Sequence, residues 1–180
     1  DRMTSGLLVT AKEHLSHRLL SIDFQQGKLS KSYVALIEGS PPFETRMIEL
    51  PIGQRPGGNS VLMSAQADAR NRRPARTKVT VLQRHAGWSM VECVLFTGRN
   101  HQIRVHLAQL GHPVLGDEYY GPFGTIRKSP RFDGDEPTEQ RHALHAATLG
   151  FLHPILREWM TFHAPPPDDF HALAAAAKSG

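Results

Sequence analysis

With 180 residues, 39% of them hydrophobic and 21% charged, the chain is long and apolar enough for one domain with a sizeable core. That composition excludes a disordered or fibrous chain, and no apolar run approaches the roughly 20 residues that cross a bilayer. The net charge of +4 is modest but uneven: Arg70, Arg72, Arg73, Arg76, Lys78 and Arg84 face a single acid, Asp68, between Gln66 and Arg84. Such a patch is either a solvated basic loop or the footprint of a polyanionic partner. One cysteine, Cys93, excludes an internal disulfide and fits a reducing compartment, so a cytoplasmic setting is expected. No signal peptide is visible, and because the chain opens on Asp1 rather than Met, its natural start is expected upstream.

In chain order, Gly6–Ala11 is predicted as a buried strand. A helix follows from Lys12 to about Gln26, with Leu15, Leu19 and Ile22 at helical spacing and Gly27 as its stop. Ser32–Glu38 alternates as a strand, with Tyr33, Ala35 and Ile37 on one face. Arg46–Ile52 is predicted as a strand ended by Gly53, and Arg55–Asn59 as a turn. Arg76–Leu82 and Ser89–Phe96 are the clearest strand pair, joined near Gly87. Asn100–Leu110 is predicted as a helix, with Ile103, Leu107 and Leu110 on one face, Asn100 near its cap and Gly111 past its end. Asp117–Asp135, rich in Gly, Pro and charge, is expected to be a loop. Leu144–Leu152 and Glu158–Phe162 are two more strands, Asp168 starts a short last helix, and Ala174–Ala177 is an Ala-rich tail. Many strands with few helices predict an α+β domain: a mixed, mainly antiparallel sheet with packed helices. The domain is expected to span 1–170, with 171–180 as a tail.

Several chemistries lack their motifs. Eleven histidines invite a metal, but His101 and His106 stand five residues apart and do not share a helix face. H-E-x-x-H is absent and one cysteine cannot build a Cys-rich zinc site, so no metal is expected. Neither phosphate-binding glycine motif occurs. Cys93, inside a predicted strand, is expected to be a buried, inert thiol.

Three segments remain. They are Asp1-Arg2-Met3-Thr4-Ser5-Gly6-Leu7-Leu8; Lys31-Ser32-Tyr33-Val34-Ala35; and Thr97-Gly98-Arg99-Asn100-His101-Gln102-Ile103-Arg104-Val105-His106-Leu107, with Gly111-His112-Pro113-Val114-Leu115-Gly116-Asp117 after it. Singly, each has an ordinary structural explanation: a turn aspartate, a core aromatic, a helix-surface cation. In order and together, they resemble the RluA-type family of RNA pseudouridine synthases. The resemblance continues through Arg141–Ala146, His153-Pro154 and His163-Ala164-Pro165, and so covers the chain to about Phe170. Tyr33 follows the aspartate by 32 residues, a separation typical of that family.

The resemblance implies an isomerase that converts uridines of structured RNA to pseudouridine, with Asp1, Tyr33 and Arg104 as catalytic residues. Arg99 and Gln102 would support the site or contact RNA, and Arg70, Arg72, Arg73, Arg76 and Lys78 would hold RNA phosphates. The reaction has no net redox change, so no cofactor is expected. The carboxylate would attack the sugar's anomeric carbon, take a sugar proton, or attack the base, with Arg104 keeping it ionised and oriented in each case. Tyr33 would stack on the target base and assist loss of the carbon-5 proton. His101 and His106 are expected to shape the site rather than react, and His106 to be packed in the core. Ribosomal RNA of the large subunit is the expected partner, with transfer RNA as the alternative, no membrane and a monomeric state.

Two other readings compete: a non-catalytic RNA-binding module of the same fold, and an unrelated glycoside- or nucleoside-cleaving enzyme, which would need a second carboxylate. The family's usual His-Arg-Leu before the aspartate, its preceding strands and any S4-type RNA-binding module would lie upstream of Asp1. The expectation is therefore that this stretch alone is less active and less stable than the full-length protein. Asn100 stands where the family more often has Thr or Ser.

Overall fold

The computed structural model describes residues 1–57, 61–127 and 141–176. In chain order its elements are β1 (Ser5–Gly6), α1 (His14–Gln25), β2 (Ser30–Glu38), β3 (Thr45–Ile48), β4 (Ile52–Gln54), β5 (Met63–Ser64), β6 (Arg70–Arg73), β7 (Thr77–His85), β8 (Trp88–Leu95), α2 (Gln102–Gln109), a 3-10 turn (Pro122–Gly124), β9 (Leu144–Leu152), β10 (Trp159–His163) and α3 (Asp168–Ala176). The large sheet runs β1-β9-β2-β8-β7-β3, and β10 shares with β1 the outer edge of β9. Only the β1–β9 pairing is parallel among the described residues. A smaller sheet runs β5-β4-β6. The α+β, mainly antiparallel architecture expected from the sequence is the one observed.

The β7–β8 hairpin turns at Gly87, whose φ of +82° is one that glycine adopts at no steric cost. α2 explains how the sheets are joined. Ile103 and Leu107 pack into the large-sheet core with Leu36, Val79 and Val91. Val105 and Ala108, on another face, join Ile52, Leu62 and Tyr120 under the small sheet. A helix apolar on more than one face is buried between layers, and every residue from Gln102 to Ala108 is buried. Each fully buried Leu, Ile or Val contributes roughly 1.5–3 kcal/mol, so the two clusters clamp α2 firmly. Cys93 lies wholly buried in β8, and burial pushes its thiol well above the ordinary value, as expected of an inert core thiol.

Several expectations need correction. The strand predicted over Gly6–Ala11 is only β1, two residues long. Gly6 takes φ +99° and the chain leaves the sheet there, with Leu8 86% exposed: the apolar run Leu7–Val9 does not imply buried backbone. The strand predicted over Arg46–Ile52 is two strands, β3 and β4, in different sheets, because Pro51 cannot donate to a ladder. The basic segment is not a loop: Arg70–Arg73 is β6, with all four side chains exposed. The cap of α2 is His101, next to Asn100 as expected. α1 forms as predicted from about the expected start, but Leu15, Ile22 and Phe24 on it are exposed. Helical periodicity shows which residues share a face and not what covers that face. α3 spans Asp168–Ala176, with Phe170 buried in the large-sheet core and Leu173 against it. Gly58 and Asn59 of the predicted turn, residues 128–135 of the predicted loop, and Ala177 lie outside the described residues.

Candidate active site

The segment Asp1–Gly6 is pinned by its own polar residues. Ser5 donates to His145 Nδ1 at 2.9 Å, while His145 Nε2 donates to the Ala164 carbonyl at 3.0 Å. Thr4 Oγ1 lies 3.1 Å from His142 Nε2. Gly6 pairs with Ala146 across the parallel β1–β9 contact, so close that a Cβ would overlap the Ala146 carbonyl oxygen. The Thr-Ser-Gly sequence is therefore a docking device that fixes Asp1 beside α2.

Arg104, 3% exposed, joins two carboxylates. Its Nη1 donates to Asp1 Oδ2 at 2.9 Å, and its Nε and Nη2 donate in parallel to Asp117 Oδ2 and Oδ1, each at 2.7 Å. Asp117 Oδ1 also accepts the amides of Tyr119 and Tyr120 at 3.0 and 3.1 Å. Burial by itself would raise the Asp117 carboxyl, but Arg104 and these amides outweigh it and hold it below the usual carboxylate value. The planar guanidinium fork suits this two-point grip. Asp1 is the more exposed partner, with its side chain 18% accessible against 0% for Asp117. Asp117 was absorbed into a predicted loop; its only sequence signal was its place at the end of the third segment.

His142 Nε2 stands 3.5 Å from Asp1 Oδ2. Burial and then the Arg104 cation push its pKa down to about 3, so the ring is neutral and forms no ion pair with Asp1, and its Nε2 is hydrogen-bonded to Thr4 instead. His101 is pushed down to about 4, again by burial first and Arg104 second. It occupies the left-handed region at φ 53°, an uncommon conformation for a side-chain-bearing residue, often kept where function requires it. Its Nδ1 lies 2.7 Å from the Tyr120 hydroxyl, which accepts the Met63 amide and is protonated because burial raises its pKa to about 12. Tyr120 therefore donates to Nδ1, and the ring proton of His101 sits on Nε2.

A second chain of bonds fixes the loop ahead of α2. Gln102 Oε1 accepts from Thr97 Oγ1 (2.8 Å) and the Arg99 amide (3.0 Å), and its Nε2 donates to Arg76 O and Thr77 Oγ1. Thr77 donates to His106 Nδ1 at 2.9 Å and His106 Nε2 donates to Leu50 O at 2.9 Å. His106, wholly buried and lowered in pKa chiefly by burial, is thus the core histidine expected.

Asp1, Tyr33, Arg99, Gln102, His101 and Arg104 all line one cleft of about 910 Å³. Tyr33 is half-buried, and burial raises its phenol pKa, so the hydroxyl is protonated near neutrality. Arg70, Arg72, Arg73, Arg76 and Lys78 do not line the cleft. Arg76 is held by Glu49 at 3.0 Å and stacks on Phe96. Arg99 Nε donates to Pro74 O, which ties the cleft's rim to the end of β6.

A family model described as RNA pseudouridylate synthase matches residues 1–109. The chain belongs to that family. An uncharacterised RNA pseudouridine synthase of Chloroflexus aurantiacus is 43% identical over 96% of the chain and 50% of its own length. Ribosomal large subunit pseudouridine synthase D of Neisseria meningitidis is 37% identical over 99% of the chain and 46% of its own. The chain spans about half the length of the curated relatives it matches. The structure of human RNA pseudouridylate synthase domain containing 1 superposes with a TM-score of 0.73 at 27% identity, covering 100% of this chain and 78% of that one. The pseudouridylate synthase fold thus carries the Asp1–Arg104–Asp117 system at one end of an open cleft, with the Asp1 carboxylate held there by Arg104.

Proposed function

We propose that the protein isomerises uridines in structured RNA to pseudouridine, with large-subunit ribosomal RNA as substrate. The observation that carries this reading is the Arg104-held Asp1 carboxylate at a cleft that also contains Tyr33. Asp1 would act at the target sugar, either by bonding to the anomeric carbon or by removing a sugar proton. The bond from that carbon to N1 breaks, the base rotates, the bond to carbon 5 forms, and the carbon-5 proton leaves as N1 gains one. Tyr33 would stack on the base, and its protonated phenol would relay that proton rather than act as a phenolate. A nucleotide must leave its stack to reach Asp1. The row Arg70, Arg72 and Arg73, exposed on β6 with no acid partner among the described residues, would hold the RNA backbone meanwhile, with Lys78 beside it.

The relative named for the ribosomal large subunit supports that substrate; transfer RNA is the other outcome to be tested. The cytoplasm is the compartment this reading assumes, in keeping with the lone, buried Cys93. A sugar-cleaving enzyme would need a second available carboxylate. Asp117 is the second carboxylate of the site, but it is sealed from solvent and fully engaged by Arg104. The test uses the purified full-length protein and ribosomal transcripts labelled with tritium at carbon 5 of uridine. The reading expects release of tritium by the wild type and none by Asp1→Asn. Release by both would remove Asp1 from the chemistry.

A further inference from the structure

We propose that Lys31 and Arg99 form an anion subsite in the wall of the cleft, which grips a backbone phosphate of the RNA strand carrying the target uridine. The proposal rests on the reading of the protein as an RNA pseudouridine synthase.

Lys31 is 6% exposed, yet it lines the cleft, and among the described residues no acid or carbonyl lies within hydrogen-bond distance of its Nζ. Its one close partner is the face of Phe24, 4.0 Å from Nζ to the ring centre. Its charged neighbour is another cation, Arg99, and burial first and Arg99 second push the ammonium below its ordinary pKa. A buried charge without a counter-ion is costly, and is kept where a ligand completes the pair. Arg99 points the same way: Nε is tied to Pro74 O at 3.0 Å, and among the described residues the two terminal nitrogens have no partner. Two adjacent cations facing one cleft, both lacking an anion among the described residues, fit a phosphate.

Position supports this. Lys31 and Tyr33 are two apart on β2 and share its cleft face, about 7 Å apart along the strand. That is the scale on which a nucleotide's phosphate stands off from its base, so Tyr33 on the base and Lys31 on a phosphate serve one strand. Gly98 keeps the approach open, because a Cβ there would run into Phe24 at 2.8 Å and reach 3.4 Å from Nζ.

The experiment compares wild-type full-length protein with Lys31→Met, which keeps the stem packing and removes the charge. It measures pseudouridine formation in a large-subunit ribosomal transcript, transcript affinity against salt, and thermal stability. Lys31→Met should bind about tenfold more weakly. Its plot of log affinity against log salt should be shallower by about 0.7–0.9, one phosphate contact fewer. Its Tm should rise by a few degrees, because an uncompensated buried cation has gone. An unchanged salt slope with wild-type activity intact would overturn the subsite and leave the isomerase reading standing. So would a lower Tm with unchanged affinity, which would make Lys31 a structural residue, or a loss confined to kcat, which would make it an acid or base. A wild type that forms no pseudouridine and does not bind the transcript would sink the reading itself, and the subsite with it.

Discussion

Arg104 is shared unequally between its two carboxylates. Two of its three ion-pair hydrogen bonds go to Asp117, which also holds two backbone amides, and one goes to Asp1. Asp117 therefore acts as a positioning residue for Arg104, and Arg104 in turn for Asp1. Asp117→Asn should leave a buried guanidinium half-paired. Breaking such a pair costs on the order of 3–5 kcal/mol, with little solvent screening at 3% and 0% exposure. The expected outcome is a fall of several degrees in Tm and a kcat lowered more than tenfold, with RNA affinity nearly kept. A kcat that stayed at the wild-type value in the folded variant would remove Asp117 from the site. That Asp1, Tyr33 and Arg104 line one cleft was legible in the sequence because each sits in a block with a fixed order. Asp117 was not, since a carboxylate among glycines and charges reads as loop until folding brings it against Arg104. His142 and Lys31 were hidden for the same reason: their meaning lies in burial, which a sequence does not print.

At the scale of elements, the local pattern foretold type better than extent. β9, β7, β8, α2 and α3 appear close to where alternation, helical spacing and capping placed them. β1 was overestimated because Leu7, Leu8 and Val9 look like a core strand, whereas the conformation of Gly6 ends the pairing. That glycine gives the clearest test of the docking segment. Gly6→Ala would place a methyl against the Ala146 carbonyl oxygen at a backbone angle that L residues rarely adopt. It should cost more than ~1 kcal/mol and shift Asp1 from Arg104. Activity should then fall more steeply than stability, read as tritium release against thermal melting. A variant with full activity would show that β1 does not set the position of Asp1. Gln102 fixes the rim of the cleft through four bonds. Gln102→Ala leaves Thr97, Thr77 and the Arg99 amide without their shared partner, so it should loosen Arg99 and raise KM for RNA while the helix survives.

At the scale of the whole molecule, three histidines fold in the neutral form: buried His142 lowered to about 3, half-buried His101 to about 4, and buried His106 lowered mainly by burial. In the unfolded chain each returns to about 6.5. Between those values the unfolded state binds more protons, so stability is complete above pH 6.5 and falls as pH drops below it. Melting followed from pH 8 to pH 5 should show a Tm that is flat at first and then declines. His142→Gln should make the decline shallower, and an equally steep fall in that variant would contradict neutral burial of His142. The overall architecture was legible in the count and order of strands, but the large-scale surface was not. Leu15 and Ile22, exposed on one face of α1, look from sequence like part of any core-facing helix. The basic segment looks like a loop until β6 lays its arginines out in a row.

The central claim is that Asp1, held by Arg104, makes this protein an RNA pseudouridine synthase. Its most direct test is pseudouridine mapping of total RNA from cells with the full-length protein and from cells with its Asp1→Asn form. The account predicts that at least one position, in large-subunit ribosomal RNA, carries pseudouridine with the wild type and uridine with the variant. A map unchanged at every ribosomal and transfer RNA position would contradict it and favour an RNA-binding module of the same fold.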